Sequence, residues 1–181
     1  MSTLTAGHVG ASTDALGIAT ISFYHPAHNS LPGQLLRQLA DTITKTGQAN
    51  TTKVIILKSE GERTFCAGAS FDELVAIEDE AQGQQFFSGF AQVINACRTC
   101  PKVIIGRVQG KAIGGGVGAF AEKLAGYNPE ALAALKQVIW AGTEQWDSLL
   151  SERAAISGRL VLSDFTRQSI AQFKAAAGAK A

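Results

Sequence analysis

The segment KVIILKSEGERTFCAGAS, residues 53–70, decides the predicted fold of this chain. It opens with an apolar run typical of a short strand buried on both faces, and it ends in a cluster of small residues, CAGAS. A second segment, KVIIGRVQGKAIGGGVG at residues 102–118, repeats this order and ends in a glycine turn. Glycine and alanine leave the backbone open to close approach. The two segments therefore predict two loops whose peptide N–H groups face a cleft.

The elements around these loops predict an α/β fold with parallel strands. Residues 17–24 alternate as a strand does, and residues 35–47 carry leucine and isoleucine at helical spacing. The phenylalanines and aliphatic residues of 86–97 predict a longer helix, and the chain after Ala121 reads as helix throughout. The alternation of strands and helices implies right-handed crossovers between parallel strands.

The amino-acid composition and net charge narrow the classes of function that this chain could have. The chain has 181 residues, of which 46% are hydrophobic and 17% charged, with a formal net charge of +1. This balance favours a globular protein and gives no basic patch for nucleic acid. No apolar run is long enough for a bilayer, and the first residues lack the features of a secretory leader. Three cysteines and no disulfide framework favour a cytoplasmic location, and the Cys97-x-x-Cys100 pair is expected to be buried rather than metal-binding or redox-active.

Two backbone N–H groups that converge on one carbonyl oxygen would form an oxyanion hole. Such donors stabilise the negative charge that develops on the oxygen in a transition state. Helix–strand packing is the alternative role for the glycines. A phosphate loop is excluded because the GxxxxGK[ST] spacing is missing.

The combined pattern resembles the crotonase superfamily, the enoyl-CoA hydratases and isomerases. The stretches that carry this resemblance are GIATISFYHPAHNSL, VIILKSEGERTFCAGASFDEL, CPKVIIGRVQGKAIGGG, NPEALAALK and DFTRQSIAQF, within residues 17–174. The resemblance implies a crotonase-like core, a spiral of ββα units that is incomplete over residues 1–120, and a C-terminal helical region over residues 121–181. It also implies an enzyme, most simply an enoyl-CoA hydratase, that acts on an acyl-CoA thioester through a stabilised enolate.

The resemblance further implies site residues and an assembly. The oxyanion-hole amides fall on Ala69 and Gly115. The implied contacts to coenzyme A, which is part of the substrate, are Ala27, His28, Ala67, Phe71, Phe173 and Lys174. No separate cofactor and no metal is expected. The family commonly forms homotrimers or hexamers, so a homo-oligomer is expected.

The chain departs from the family pattern after the glycine turn. Gly118 occupies the position of the first catalytic glutamate of hydratases, and the segment that supplies the second acid is missing near residues 118–121. That gap is either a true deletion or a stretch absent from this sequence. Of the visible groups, Asp72 and Glu73 are expected to balance a helix dipole, Glu62 to be solvated, and His25 and His28 not to be catalytic. A non-catalytic acyl-CoA binder, an inactive fragment, and an isomerase, dehalogenase or hydrolase of the same fold remain alternatives.

Overall fold

The computed structural model describes residues 7–62, 64–108 and 116–178. The described strands are β1 (His8–Thr13), β2 (Ile18–Tyr24), β3 (Ser30–Leu31), β4 (Val54–Ser59), β5 (Gly68–Ala69) and β6 (Val103–Arg107). The described helices are α1 (Gly33–Gln48), α2 (Phe71–Ala76), α3 (Glu80–Thr99), α4 (Gly116–Ala125), α5 (Pro129–Ile139), α6 (Trp146–Leu160) and α7 (Asp164–Gly178). The α/β class predicted from the sequence is confirmed.

The main sheet has the strand order β1-β2-β4-β6. Strands β2, β4 and β6 are parallel, with Ile21 opposite Leu57 and Ile55 opposite Ile104, as the alternation of strands and helices predicts. Strand β1 pairs antiparallel with β2 and was not predicted. A second, two-stranded parallel sheet joins β3 to β5.

Side chains on the two faces of the main sheet form separate clusters. One face packs against α1 and α3, where Leu36 and Ile43 of α1 meet Ile21 and Ile55 of the sheet. Because Leu36 is 1% exposed and Ile43 fully buried, α1 is held by its apolar stripe. On the opposite face, α4 and α5 cover a smaller cluster around Val54.

Two of the C-terminal helices, α5 and α7, begin at side chains that accept backbone N–H groups of the first turn. The Asn128 side chain accepts the backbone N–H groups of Glu130 and Ala131 at 2.8 and 3.3 Å and caps α5. The Ser163 hydroxyl accepts the Thr166 N–H at 3.3 Å at the start of α7. The backbone of α4 runs unbroken from Gly116 to Ala125, across the position where the resemblance implies a missing segment. The division of the chain near residue 121 stays a prediction.

Helices α3 and α6 make the most extensive contact between any two described elements. They touch backbone to backbone at Gly83 and Gly158: a Cβ built on Gly83 would lie 2.6 Å from the Cα of Gly158. Further along the pair, the Arg98 Nη2 donates to the Asp147 Oδ1 at 2.7 Å. The α3–α6 pair is thus fixed at two points along its length.

The Cys97-x-x-Cys100 pair lies at the end of α3 beside a buried lysine. Cys100 is 4% exposed, and burial raises the pKa of the Cys97 thiol. The Lys136 ammonium, 8% exposed, donates to the Lys102 carbonyl oxygen at 2.7 Å, and its pKa is lowered by burial. No group of three potential metal ligands is found among the described residues. None of the helices within the described ranges has the length and apolar character needed to span a bilayer.

We predict that Gly158→Ala lowers the free energy of unfolding by about 1–3 kcal/mol, because the added methyl group would overlap the backbone of α3. The measurement is urea denaturation followed by circular dichroism. Gly106→Ala is the control, since a Cβ there meets nothing within 4 Å. Equal stabilities of the two variants would contradict the glycine contact.

We also predict that the stability of the native protein relative to Lys136→Met increases between pH 7 and pH 10. The pKa of Lys136 is lower in the folded protein than in the unfolded chain. At pH values between these two pKa values, the unfolded chain binds more protons than the folded protein. The free energy of unfolding therefore rises with pH in this range. Urea denaturation at both pH values measures the difference. The exposed Lys45→Met serves as the control, and a pH-independent difference for Lys136→Met would refute the prediction.

Candidate active site

A buried asparagine joins the two loops on which the candidate site is built. Asn29 is 3% exposed and has a φ of 57°, a left-handed conformation that asparagine adopts more readily than most residues. Its side-chain Nδ2 donates to the carbonyl oxygens of Glu60 and Thr64, each at 2.8 Å. Its Oδ1 accepts the His25 N–H at 2.8 Å. One side chain therefore ties the loop before β3 to the loop before β5.

The backbone adds to this connection. The Ala67 N–H donates to the Asn29 carbonyl oxygen at 3.2 Å, and Leu31 pairs with Ala69 in the two-stranded sheet. The Ser70 N–H then donates to the Leu31 carbonyl oxygen at 3.3 Å. In a parallel pair, a residue bonds to the two residues that flank its partner. The Ala69 N–H consequently points away from β3.

The Ala69 N–H makes no hydrogen bond to another described residue. The preceding residue, Gly68, has a φ of +89°, a conformation that residues with a side chain rarely adopt. The space where its Cβ would lie is open. The loop thus presents a backbone donor that has no acceptor among the described residues, next to an accessible peptide, and this is one of the two donors that an oxyanion hole needs.

Ala69 also lines a cavity of about 330 Å³ between α3 and α6. The lining is mainly apolar, and it carries no carboxylate within the described part of the chain. Its described members are Ala69, Phe87, Phe90, Ala91, Ile94, Leu150, Arg153, Ala154 and Ser157. A cavity of this kind suits the apolar part of a small ligand.

The residues expected to contact coenzyme A before β3 lie on one turn. Ala27 and His28 are exposed, and the Ala27 N–H donates to the His25 Nδ1 at 3.3 Å. His28 lines a shallow cavity of about 270 Å³ together with Glu60 and Glu62. The Asn29 connection brings this turn and Ala67 together, whereas Phe71 lies at the start of α2 and is 36% exposed.

The remaining predicted site residues cannot be placed beside Ala69. Gly115, the second predicted oxyanion donor, lies outside the described residues. Phe173 and Lys174 belong to α7, which contacts α2, but their side chains are outside the description as well. Their roles stay predictions.

The acidic residues after Ala69 differ in their surroundings. The Glu73 Oε2 accepts the Gly33 N–H at 2.7 Å, so this carboxylate caps the start of α1. Glu73 was predicted to balance the dipole of α2, in whose first turn it lies. Its carboxylate also lies at the start of α1, so it serves both helices. Asp72 and Glu62 are exposed.

Two parts of the site were missed at the level of sequence. Asn29 lies in a turn-forming stretch, HPAHNSLPG, but nothing in that composition says that its side chain bonds residues more than 30 positions away. The second wall of the cavity comes from α6, whose Leu150, Arg153 and Ser157 follow at helical spacing. That spacing was the available signal.

Comparison with known proteins agrees with this geometry. The sequence profile described as enoyl-CoA hydratase/isomerase matches residues 13–121, which include β2, β4, β5 and the start of α4. The structure defines an α/β chain in which the Ala69 N–H, after strand β4, has no acceptor among the described residues. The chain belongs to the enoyl-CoA hydratase/isomerase family.

Individual relatives differ in the activities they are named for. The chain is 31% identical over 110 residues to (7aS)-7a-methyl-1,5-dioxo-2,3,5,6,7,7a-hexahydro-1H-indene-carboxyl-CoA hydrolase of Rhodococcus jostii, a match that covers 61% of this chain and 42% of that protein. It is 28% identical over 113 residues to ethylmalonyl-CoA decarboxylase of Xenopus laevis, covering 62% and 38%. The matches span about two-fifths of the length of these curated relatives.

The fold is similar to that of solved enoyl-CoA hydratases. The crystal structure of enoyl-CoA hydratase from Bacillus halodurans superposes with a TM-score of 0.79 at 12% identity, covering 91% of this chain and 99% of that chain. At this identity the likeness shows the crotonase fold, which the sequence predicted.

We predict that Asn29→Ala lowers the free energy of unfolding by about 2–4 kcal/mol, because buried backbone groups of Glu60, Thr64 and His25 lose their partners. Asn29→Asp keeps the acceptor for the His25 N–H but places a carboxylate against two carbonyl oxygens, so it should destabilise the protein at least as much. Urea denaturation and amide hydrogen exchange of residues 60–69 are the measurements. The exposed Asn50→Ala is the control, and protection of 60–69 unchanged in Asn29→Ala would rule out the connection.

Proposed function

We propose that this protein acts on acyl-CoA thioesters and that the Ala69 N–H binds the thioester carbonyl oxygen. The observation that carries the proposal is the direction of this N–H, which points away from β3 and meets no described acceptor. A donor of this kind withdraws electron density from the carbonyl and stabilises an enolate or tetrahedral oxyanion. Family membership supports the thioester as the ligand.

The reaction we propose first is the hydration of an enoyl-CoA, with Gly115 as the second donor. In this reaction the polarised carbonyl makes the β-carbon electrophilic, water adds there, and a proton is delivered to the α-carbon. The resemblance assigns the proton transfers to glutamates that this chain lacks at the matching positions, Gly118 among them. One relative is named as a hydrolase and another as a decarboxylase. Other reactions of acyl-CoA thioesters are therefore alternatives for this chain.

A non-catalytic acyl-CoA binder is the second candidate, and one observation favours it. The described lining of the cavity beside Ala69 contains no acidic side chain that could transfer a proton. Such a binder would still use the Ala69 N–H and the cavity to hold the acyl thioester.

The assembly and location remain part of this proposal. We propose a homotrimer or hexamer in the cytoplasm, with coenzyme A as the handle of the substrate and without a separate cofactor. Analytical ultracentrifugation of the purified protein tests the assembly, and a monomer at micromolar concentration would refute it.

We predict that Ala69→Pro, which removes the N–H, lowers crotonyl-CoA hydration by about 100- to 1,000-fold. Loss of the enoyl thioester absorbance follows turnover, and titration with unreactive butyryl-CoA follows binding. Circular dichroism and thermal unfolding establish that the variant is folded.

The outcomes separate the candidates. Turnover by the unaltered protein supports the enzyme, and binding of butyryl-CoA without turnover supports the binder. The matched control is Ala91→Ser, which alters the cavity wall and keeps every backbone donor. Full turnover by folded Ala69→Pro would disprove the role of this amide.

A further inference from the structure

The cavity beside Ala69 is held open by the way α3 and α6 are joined. The two helices touch at Gly83 and Gly158, and the ion pair of Arg98 and Asp147 joins them further along. The cavity lies between these two contacts. Its walls therefore belong to a fixed helix pair rather than to surface loops.

One charged side chain interrupts the apolar lining. Arg153 of α6 lines the cavity and is exposed, so it stands at the solvent side of this space. The lining toward α3 is formed by Phe87, Phe90 and Ile94. The cavity therefore offers apolar walls next to Ala69 and one cation.

Arg153 has no carboxylate partner in the described part of the chain. The ion pairs found there join His8 to Glu60 and Arg98 to Asp147. Residues 81–99, which form nearly all of α3, contain neither aspartate nor glutamate. The guanidinium group of Arg153 is thus available to bind an anion. Its parallel N–H groups match the two oxygens of a carboxylate, which it binds in a bidentate manner.

We propose that the substrate of this site is an acyl-CoA whose acyl chain ends in a carboxylate, and that Arg153 binds this carboxylate. The inference rests on the proposed function, because it takes the thioester carbonyl to lie at the Ala69 N–H. The methylene groups of the acyl chain then lie against Phe87, Phe90 and Ile94. Arg153 is the specificity-determining residue of this arrangement.

The physical basis is the cost of bringing a carboxylate to an apolar wall. An ionised carboxylate loses hydration there, and without a paired cation the loss is not recovered. A methyl-terminated chain needs no such partner. Arg153 therefore favours the dicarboxylic acyl group over its monocarboxylic equivalent, whereas the apolar walls alone would favour the reverse.

The experiment compares pairs of CoA thioesters whose acyl groups have the same number of carbons, one dicarboxylic and one monocarboxylic. The pairs run from succinyl-CoA and butyryl-CoA, with four carbons, to pimeloyl-CoA and heptanoyl-CoA, with seven. Isothermal titration calorimetry gives the dissociation constants for the full chain. For at least one chain length we expect the dicarboxylic thioester to bind about 2- to 5-fold more tightly, the range for an ion pair with an exposed arginine. Arg153→Met should abolish this preference, and Arg153→Glu should reverse it.

Arg159→Met is the matched control, since Arg159 is exposed on the same helix and does not line the cavity. It should keep the preference of the unaltered protein. If monocarboxylic thioesters bind and no dicarboxylic thioester is preferred at any length, the inference is overturned while the proposed function stands. If no thioester of either series binds, the proposed function fails and the inference fails with it.

Discussion

The position of the Ala69 donor depends on the buried side chain of Asn29. Strands β3 and β5 have only two residues each, so their own ladder gives little rigidity. Asn29, which is 3% exposed, adds three part-buried side-chain hydrogen bonds, and a buried polar group that loses its partner is costly. The main sheet fixes the start of both loops, and Asn29 fixes the two loops to each other. The backbone geometry of the site is therefore set by one polar group in the core.

In the proposed function, carbonyl polarisation and proton transfer depend on different groups. The first would use the backbone N–H of Ala69, whichever side chain that residue carries. The second needs a titratable side chain near the substrate, and the acids that follow Ala69 are arranged differently. Glu73 is bonded to the start of α1, and Asp72 is exposed. A shared thioester-binding frame with variable acids is consistent with the different activities named for the relatives.

The sequence predicted the helices and strands whose buried side chains recur at regular spacing. Leu36 and Ile43 define the stripe of α1, and the apolar run around Ile55 defines a central strand, because burial imposes a period on apolar residues. Strand β1 was missed because HVGAST is polar and largely exposed, and only its pairing with β2 makes it a strand. The cavity was missed for another reason: it exists only where α3 and α6 pack together, and the helical spacing within α6 does not show which helix it packs against.

The two walls of the cavity are encoded in separate parts of the polypeptide. Phe87 and Phe90 belong to the region that matches the family profile, which ends at residue 121, and Arg153 lies beyond it. If the proposed function holds, mutations in the wall formed by α6 would change which acyl groups fit without altering the Ala69 N–H. Under that proposal, acyl selectivity and carbonyl activation would evolve independently of each other.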